Sequence, residues 1–255
     1  MKRTILDAVQ SLCAPFPDTE QIESHGSPTF KVRGKSFAIY SLNHHGDGRV
    51  ALWLAAPRGS QNHYSDMQPE CYFVPPYVGA KGWLGVELNK GLAWQAVCER
   101  VFEAYCAVAP EQLGNVLTGP PDVEPPVEKM LAEDINPFLR PSVKKALQKL
   151  ALLCEALPET TRTEQFGNPA WKAGRKTFVS ANYYDKRLAL QFWVGLDKQS
   201  LLTLDSRFSV PAYTGNNGWI NLDIHKQRDW VEIEALLLES YRHFALKRMM
   251  KLLPQ

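Results

Sequence analysis

Apolar residues along the chain follow two periods, and the change from one period to the other marks the predicted elements. In four segments they recur every three or four positions, which predicts amphipathic helices at 4–16, 92–108, 142–157 and 228–250. Between the helices of each half, apolar and polar residues alternate, which predicts strands. The strands are expected at 28–33, 36–42, 48–56 and 83–88, and at 169–173, 176–183, 186–194 and 219–224.

Glycine-containing turns separate the first three strands of each half. Gly34-Lys35 and Gly174-Arg175 leave room only for a tight hairpin, and Gly46-Asp47-Gly48 is typical of a slightly longer one. Strands that are joined by hairpins lie antiparallel. Each half is therefore predicted to be α+β, with a small antiparallel sheet flanked by an N-terminal and a C-terminal helix.

Whole blocks of sequence occur twice, in the same order. Gly-Ser-Pro-Thr-Phe-Lys at 26–31 returns as Gly-Asn-Pro-Ala-Trp-Lys at 167–172, and a Tyr-x-Gly-x-x-Gly-Trp block at 77–83 returns at 213–219. A repeat of this length indicates two copies of a domain rather than a solenoid, whose repeats are about 20–50 residues long. The predicted domains are 1–115 and 140–255.

A linker, 116–139, joins the two predicted domains and is rich in proline and acidic residues. Its Pro-Pro pairs favour a stiff, extended chain, and a short helix is predicted at 127–136. A stiff tether would hold the two domains in a preferred relation, and packing of the two copies on each other is one arrangement that this relation allows.

Composition is that of an ordinary globular protein, with 45% hydrophobic and 22% charged residues. No uncharged apolar run approaches the 18 or so residues of a membrane span, and polar residues interrupt the N-terminus before a signal peptide could form. The five cysteines are scattered and never form a Cys-x-x-Cys pair, which indicates a reducing compartment. We therefore expect a cytoplasmic protein that does not interact with membranes.

Positive charge is concentrated in the second half of the chain. Residues 1–139 contain 11 Lys and Arg against 16 Asp and Glu, whereas residues 140–255 contain 18 against 11. This split favours either attraction between the halves or a polyanionic partner of the second half. Ordinary variation in surface charge would give the same pattern.

The two copies share a set of proline, glycine, aromatic and lysine positions. In the first copy these are Pro17, Thr19, Gly26, Pro28, Phe30, Lys31, Lys35, Phe37, Tyr77, Gly79, Gly82, Trp83 and Tyr105. In the second they are Pro158, Thr160, Gly167, Pro169, Trp171, Lys172, Lys176, Phe178, Tyr213, Gly215, Gly218, Trp219 and Tyr241. This set resembles the MmcQ/YjbR-like family, here in two tandem copies. The resemblance implies a compact α+β domain similar in shape to the double-wing DNA-binding fold and to frataxin, and it suggests DNA binding by analogy of fold.

Histidines that would suit a metal site are confined to the first copy. His44, His45 and His63 are close in sequence, but Tyr183-Tyr184 occupies the matching turn of the second copy. No metal site and no cofactor are therefore expected.

A thiolate pair is the other catalytic candidate. Cys13 and His25 would suit it, but Phe166 stands where the second copy would need the histidine, and Cys154 lies on the apolar stripe of its helix. We expect a binding protein rather than an enzyme, with a single active copy as the remaining alternative.

Basic residues shared by the two copies are the first candidates for a binding surface. They lie on neighbouring strands and turns beside Phe30 or Trp171, an arrangement that suits phosphate contacts and base stacking. The residues are Lys31, Lys35 and Arg49 in the first copy and Lys172, Arg175, Lys176 and Arg187 in the second. They predict a nucleic-acid partner, although lysine and arginine are also common on the wet face of a half-covered sheet.

An aromatic groove is the alternative binding surface. If the copies pack as a pseudo-dimer, aromatic residues of the repeated Tyr-x-Gly-x-x-Gly-Trp block would line the groove between them, where a small molecule or a protein would bind. These residues are Tyr77, Trp83, Tyr213 and Trp219.

Overall fold

A computed structural model describes residues 3–127, 129–184 and 186–253. The outer limits of the predicted domains, at 1 and 255, and residue 128 of the predicted linker lie outside the described residues. The chain divides into two compact units, the first ending at Ile135 and the second beginning at Asn136.

The first unit contains six strands and five short or medium helices among its described residues. Its helices are α1 (Ile5–Cys13), α2 (Ser60–Met67), α3 (Trp94–Val108), α4 (Glu111–Gly114) and α5 (Ala132–Ile135). Its strands are β1 (Thr19–Ser24), β2 (Ser27–Val32), β3 (Lys35–Leu42), β4 (Val50–Leu54), β5 (Tyr72–Phe73) and β6 (Leu84–Glu87).

The second unit repeats the order of strands and long helices. Its helices are α6 (Pro141–Glu155), α7 (Leu196–Leu202), α8 (Trp230–Phe244) and α9 (Lys247–Met250). Its strands are β7 (Thr160–Gln165), β8 (Asn168–Ala173), β9 (Lys176–Tyr184), β10 (Arg187–Trp193), β11 (Phe208–Ser209) and β12 (Trp219–Asp223).

Both units have the same sheet topology. The strand order is β1-β2-β3-β4-β6-β5 in the first sheet and β7-β8-β9-β10-β12-β11 in the second, and every neighbouring pair is antiparallel. The predicted fold class, two tandem α+β copies with antiparallel sheets flanked by helices, is confirmed.

The outermost strands are those that the alternation pattern does not predict. β1 reads Thr-Glu-Gln-Ile-Glu-Ser, and β7 reads Thr-Thr-Arg-Thr-Glu-Gln. Neither strand contains a fully buried residue, because each lies at a sheet edge with little chain to cover it. β5 and β11 contain only two residues each, too few for a period to be seen.

The helices cover one face of each sheet and form the core there. Tyr105 on α3 packs edge-on against Phe37 of β3 with ring centroids 5.5 Å apart, and Tyr241 on α8 packs in the same way against Phe178 of β9 at 5.5 Å. The opposite face of each sheet, called the open face below, carries the side chains that alternate with these core residues.

Part of the predicted linker is bonded to the first unit. The Trp94 indole N–H donates to the Val123 carbonyl at 2.8 Å, and the Asn89 side chain both accepts from the Met130 N–H and donates to its carbonyl. Helix α5 begins at Ala132, later than the sequence predicts. The domain limits at 115 and 140 stay predictions.

Candidate functional site

Paired tyrosines of the shared motif hold the scaffold together. The Tyr105 hydroxyl donates to the Pro17 carbonyl at 2.8 Å, and the Tyr241 hydroxyl donates to the Pro158 carbonyl at 2.7 Å. In each unit this bond ties the long C-terminal helix to the turn that follows the first helix. These residues recur because they fix the fold, and they do not form a binding site.

The Tyr-x-Gly-x-x-Gly-Trp block is also structural. A Cβ atom on Gly79 would lie 2.5 Å from Val74 Cγ1, and one on Gly215 would lie 2.2 Å from Val210 Cγ1, so neither position admits a side chain. A glutamine that sequence reasoning missed closes the turn from the inside. Gln61 donates to the Gly79 carbonyl at 2.8 Å, and Gln199 donates to the Gly215 carbonyl at 2.8 Å.

The predicted basic residues fall at two ends of each sheet. Lys31 and Lys35 lie at the β2–β3 turn, whereas Arg49 precedes β4 at the far end of β3. β3 contains eight residues, which at about 3.3 Å per residue separates the two ends by more than about 20 Å. The basic residues therefore do not form one continuous ridge.

The second sheet divides its basic residues in the same way. Lys172, Arg175 and Lys176 lie at the β8–β9 turn, and Arg187 begins β10 at the other end. The aromatic neighbours expected to stack on bases are elsewhere, because Trp171 and its counterpart Phe30 are buried in the core.

Several basic residues of the first unit lie beside acidic or aromatic side chains. Glu20 stands opposite Lys31 in the β1–β2 register, and Arg33 pairs with Asp18 at 2.7 Å. The Arg49 guanidinium lies 3.8 Å from the centroid of the Phe73 ring. Of the basic residues predicted to bind in this unit, Lys31 faces an acid, Arg49 packs on a ring, and Lys35 is exposed.

The basic residues of the second unit have fewer acidic neighbours. Thr161, not an acid, stands opposite Lys172. Within the part of the chain that the structure describes, Lys172, Arg175 and Lys176 form no ion pair. Arg187 contacts Asp223 at 3.5 Å and remains exposed.

The open faces of the two sheets differ in chemistry at matching positions. One row of side chains crosses the first sheet from β2 to β5, and its register counterpart crosses the second sheet from β8 to β11. The first row is Thr29, Ile39, Trp53, Gly85 and Phe73. The second row is Ala170, Ser180, Gln191, Asn221 and Ser209.

Aromatic rings fill the open face of the first sheet. A Cβ atom on Gly85 would lie 2.5 Å from the Phe73 ring, so this ring sits directly on the backbone of β6. Trp53 is only 6% exposed, and the His44 ring lies 4.9 Å from it. Burial of His44 lowers the pKa of its imidazole, and the nearby His45 lowers it further.

A chain of polar side chains crosses the open face of the second sheet. Asn182 donates to the Ser180 hydroxyl at 3.3 Å, Ser180 contacts Gln191 Oε1 at 3.4 Å, and Gln191 donates to Asn221 Oδ1 at 3.2 Å. Each terminal amide keeps polar atoms that this chain does not use. Those atoms are available to a ligand on the open face.

A depression with a volume of about 560 Å³ lies over this chain. That volume falls within the range of small-molecule sites. The Tyr184 hydroxyl reaches across it to contact the Ser209 hydroxyl at 3.4 Å, and Tyr213 stands exposed at its rim. The lining contains no charged residue: Asn168, Asn182, Tyr183, Tyr184, Gln191, Ser209, Val210, Pro211, Ala212, Tyr213 and Asn221.

The four aromatic residues predicted to line a groove have different surroundings. Tyr77 is 72% exposed, and its hydroxyl lies 2.8 Å from His45 Nε2. Trp219 is half-buried and stacks on Phe244 at 5.5 Å, and Trp83 is also half-buried. Of the four, Tyr213 alone lines the depression described above.

The residues considered as catalytic candidates lie in the core or in hairpin turns. Cys13 and Cys154 are fully buried, and burial raises the pKa of both thiols. His25 and its counterpart Phe166 occupy the same left-handed position of the β1–β2 and β7–β8 hairpins, with φ of 51° and 52°. Among the described residues, no group of three His, Cys, Asp or Glu side chains could hold a metal ion.

The polar residues of the second open face are not predicted from the sequence, because they are not among the features that both copies share. Asn182, Gln191 and Asn221 have no polar amide counterpart in the first unit. Comparing the alternate positions of matching strands would have found them, since Trp53 is replaced by Gln191 and Gly85 by Asn221.

Within the described residues, no helix is both long and apolar enough to cross a membrane.

Comparison with known proteins agrees with the duplicated fold. The family model described as YjbR matches residues 14–107 and again residues 155–243. A search of curated proteins finds no match. The two matched regions together cover most of the chain and contain the two sheets with nearly all of helices α3 and α8. The chain therefore belongs to the YjbR family, with two tandem copies of its domain.

Proposed function

We propose that this protein is a non-catalytic nucleic-acid-binding protein and that its second unit makes the contacts. The observation that carries the proposal is the pair of basic ends on the second sheet. Lys172 and Arg187 lie on its open face, about 20 Å apart along the strand direction. Lys172 faces Thr161 rather than an acid on the adjacent strand, and Arg187 contacts Asp223 only at 3.5 Å and stays exposed. Exposed cations on one face suit a chain of phosphates.

The charge distribution of the chain supports the same unit. The second half carries 18 Lys and Arg against 11 Asp and Glu, while the first half has an acidic excess. Because binding to phosphates releases counterions, affinity should fall steeply with salt, and its slope should report the number of phosphates contacted.

A salt titration with matched variants tests this proposal. Arg187→Gln removes one phosphate contact, and we expect the slope of log K against log salt to fall by about 1. Arg49→Gln is the control, because Arg49 packs on Phe73 in the first unit and should leave the slope unchanged. Fluorescence anisotropy with a labelled oligonucleotide gives both slopes, and absence of binding at low salt would refute the proposal.

A further inference from the structure

We infer that the second open face takes single-stranded nucleic acid, with unpaired bases in the uncharged depression between the two basic ends. This inference rests on the proposed function and names its ligand class. A nucleic-acid strand is neutral and polar at its bases and negative at its phosphates. The second sheet has the complementary order, with an amide floor between Lys172 at one end and Arg187 at the other.

The lining of the depression is what distinguishes a base from a phosphate as its occupant. No charged side chain lines it, so an anionic group would find no countercharge there. A base offers neutral donors and acceptors, and side-chain amides such as those of Asn182 and Asn221 match both.

Tyrosine rings add a surface for stacking. Tyr184 lies across the depression and Tyr213 is 93% exposed at its rim. An exposed ring beside an amide floor suits a base with its flat face against the tyrosine. A base can reach this floor only when it is unpaired, because the bases of a duplex are stacked within the helix.

The polar chain also accounts for tolerance of different bases. Asn182, Ser180, Gln191 and Asn221 are linked in series, and each amide can exchange its donor and acceptor by rotation. If the direction of all three hydrogen bonds reverses together, no hydrogen bond is lost. The free group at each end of the chain then changes from acceptor to donor or from donor to acceptor. The floor can therefore match bases with either arrangement, which predicts binding with little sequence preference.

The site is expected once per chain. In the first unit, the Phe73 ring lies on Gly85, at the position that corresponds to the floor of the depression. That ring fills the space which Ser209 leaves open in the second unit. Binding should therefore saturate at one strand segment per protein chain.

The test uses the full chain and three labelled probes of equal phosphate number: a mixed-sequence 12-nucleotide single strand, the same strand with abasic sites throughout its centre, and a duplex. We expect the single strand to bind about tenfold more tightly than either of the others, since each stacked base adds about that much. Equal affinity for all three would overturn the inference while leaving polyanion binding intact. No binding to any probe would refute the proposed function itself.

Variants of the amide floor provide the second readout. Gln191→Met keeps the side-chain size but removes the polar atoms that link Ser180 to Asn221. It should reduce the preference for the single strand over the abasic strand, while the part due to stacking on tyrosine remains. Ser41→Ala, on the open face of the first sheet, is the matched control and should leave this preference unchanged. If Gln191→Met impairs folding, the side-chain amide NMR signals of Asn182 and Asn221 in the wild-type protein provide the readout. Signals that shift when the single strand is added, but not when the abasic strand is added, support the inference. Unchanged signals overturn it.

Discussion

The two open sheet faces have the same strand order and register but opposite chemistry. In the first unit, Trp53 and Phe73 cover the sheet with aromatic rings, and Gly85 makes room for one of them. In the second unit, Gln191 and Asn221 stand at the same register positions and leave a polar depression. Duplication has thus kept the scaffold in both copies while the surface that can meet a ligand has diverged.

The largest expected difference between the faces is in stability. Trp53→Ala should destabilise the first unit by about 3–5 kcal/mol, because it removes a large, nearly buried ring. The matched change Gln191→Ala should cost the second unit only about 1 kcal/mol, the net value of the hydrogen bonds lost. Hydrogen exchange resolved by segment gives the opening free energy of each unit. Equal losses in the two units would contradict the comparison.

A second way to test the comparison is to exchange one pair of residues. Gly85→Asn introduces the residue of the second unit under the Phe73 ring and should destabilise the first unit by about 1–3 kcal/mol through overpacking. Adding Phe73→Ser should recover most of that loss, because it removes the clashing ring. A double-mutant cycle measured by chemical denaturation gives the coupling energy. Additive effects would show that Phe73 does not fill this space.

The scaffold, in contrast, should respond equally in both units. Tyr105→Phe and Tyr241→Phe each remove one hydrogen bond to a proline carbonyl, and each should cost its own unit about 1 kcal/mol. Segment-resolved hydrogen exchange measures both losses. A loss confined to one unit would mean that the shared motif does not have the same structural role in the two copies.

The smallest expected effect concerns pH. Burial raises the pKa of the Glu87 carboxyl, which lies on the first open face and accepts from the Val50 and Asn89 N–H groups. A carboxyl whose pKa is higher in the folded state binds its proton more tightly there, so its contribution to stability is lost as pH rises through that pKa.

Glu87→Gln removes this titration and keeps an oxygen that can accept from both N–H groups. We expect it to stabilise the first unit near neutral pH by less than about 1 kcal/mol and to have little effect in acid. Thermal denaturation at several pH values measures the change. Asp223→Asn, at the matching position of the second unit, is the control, since Asp223 contacts Arg187 and is partly exposed. A larger pH-dependent change in stability for Asp223→Asn than for Glu87→Gln would contradict the burial of Glu87.

Periodicity and repetition predict most of the fold, because buried side chains must alternate in strands and recur every three or four residues in helices. Strand β4, with Leu52 and Leu54 facing the core, is predicted on this basis. Strands β1 and β7 are not, since an exposed edge strand needs no apolar face. Pairing across such a strand depends on its neighbour, which the local sequence does not describe.

The candidate site is less predictable than the fold. The sequence identifies Lys172 and Arg187 as paired basic positions, but not that the length of the sheet separates them. The intervening amides, such as Gln191, look like ordinary surface residues until the register places them in one row. Function here depends on neighbours across strands, and these are known only once the sheet is formed.

Side-chain amide signals offer the most direct test that the second open face is the binding surface. Asn182, Gln191 and Asn221 can be assigned in a nitrogen-15 correlation spectrum of the full chain, which is then titrated with a single-stranded oligonucleotide. We predict that these signals shift and saturate at one strand segment per chain, while the indole signal of Trp53 on the first open face stays in place. Shifts at Trp53 with no change at the three amides would contradict the account.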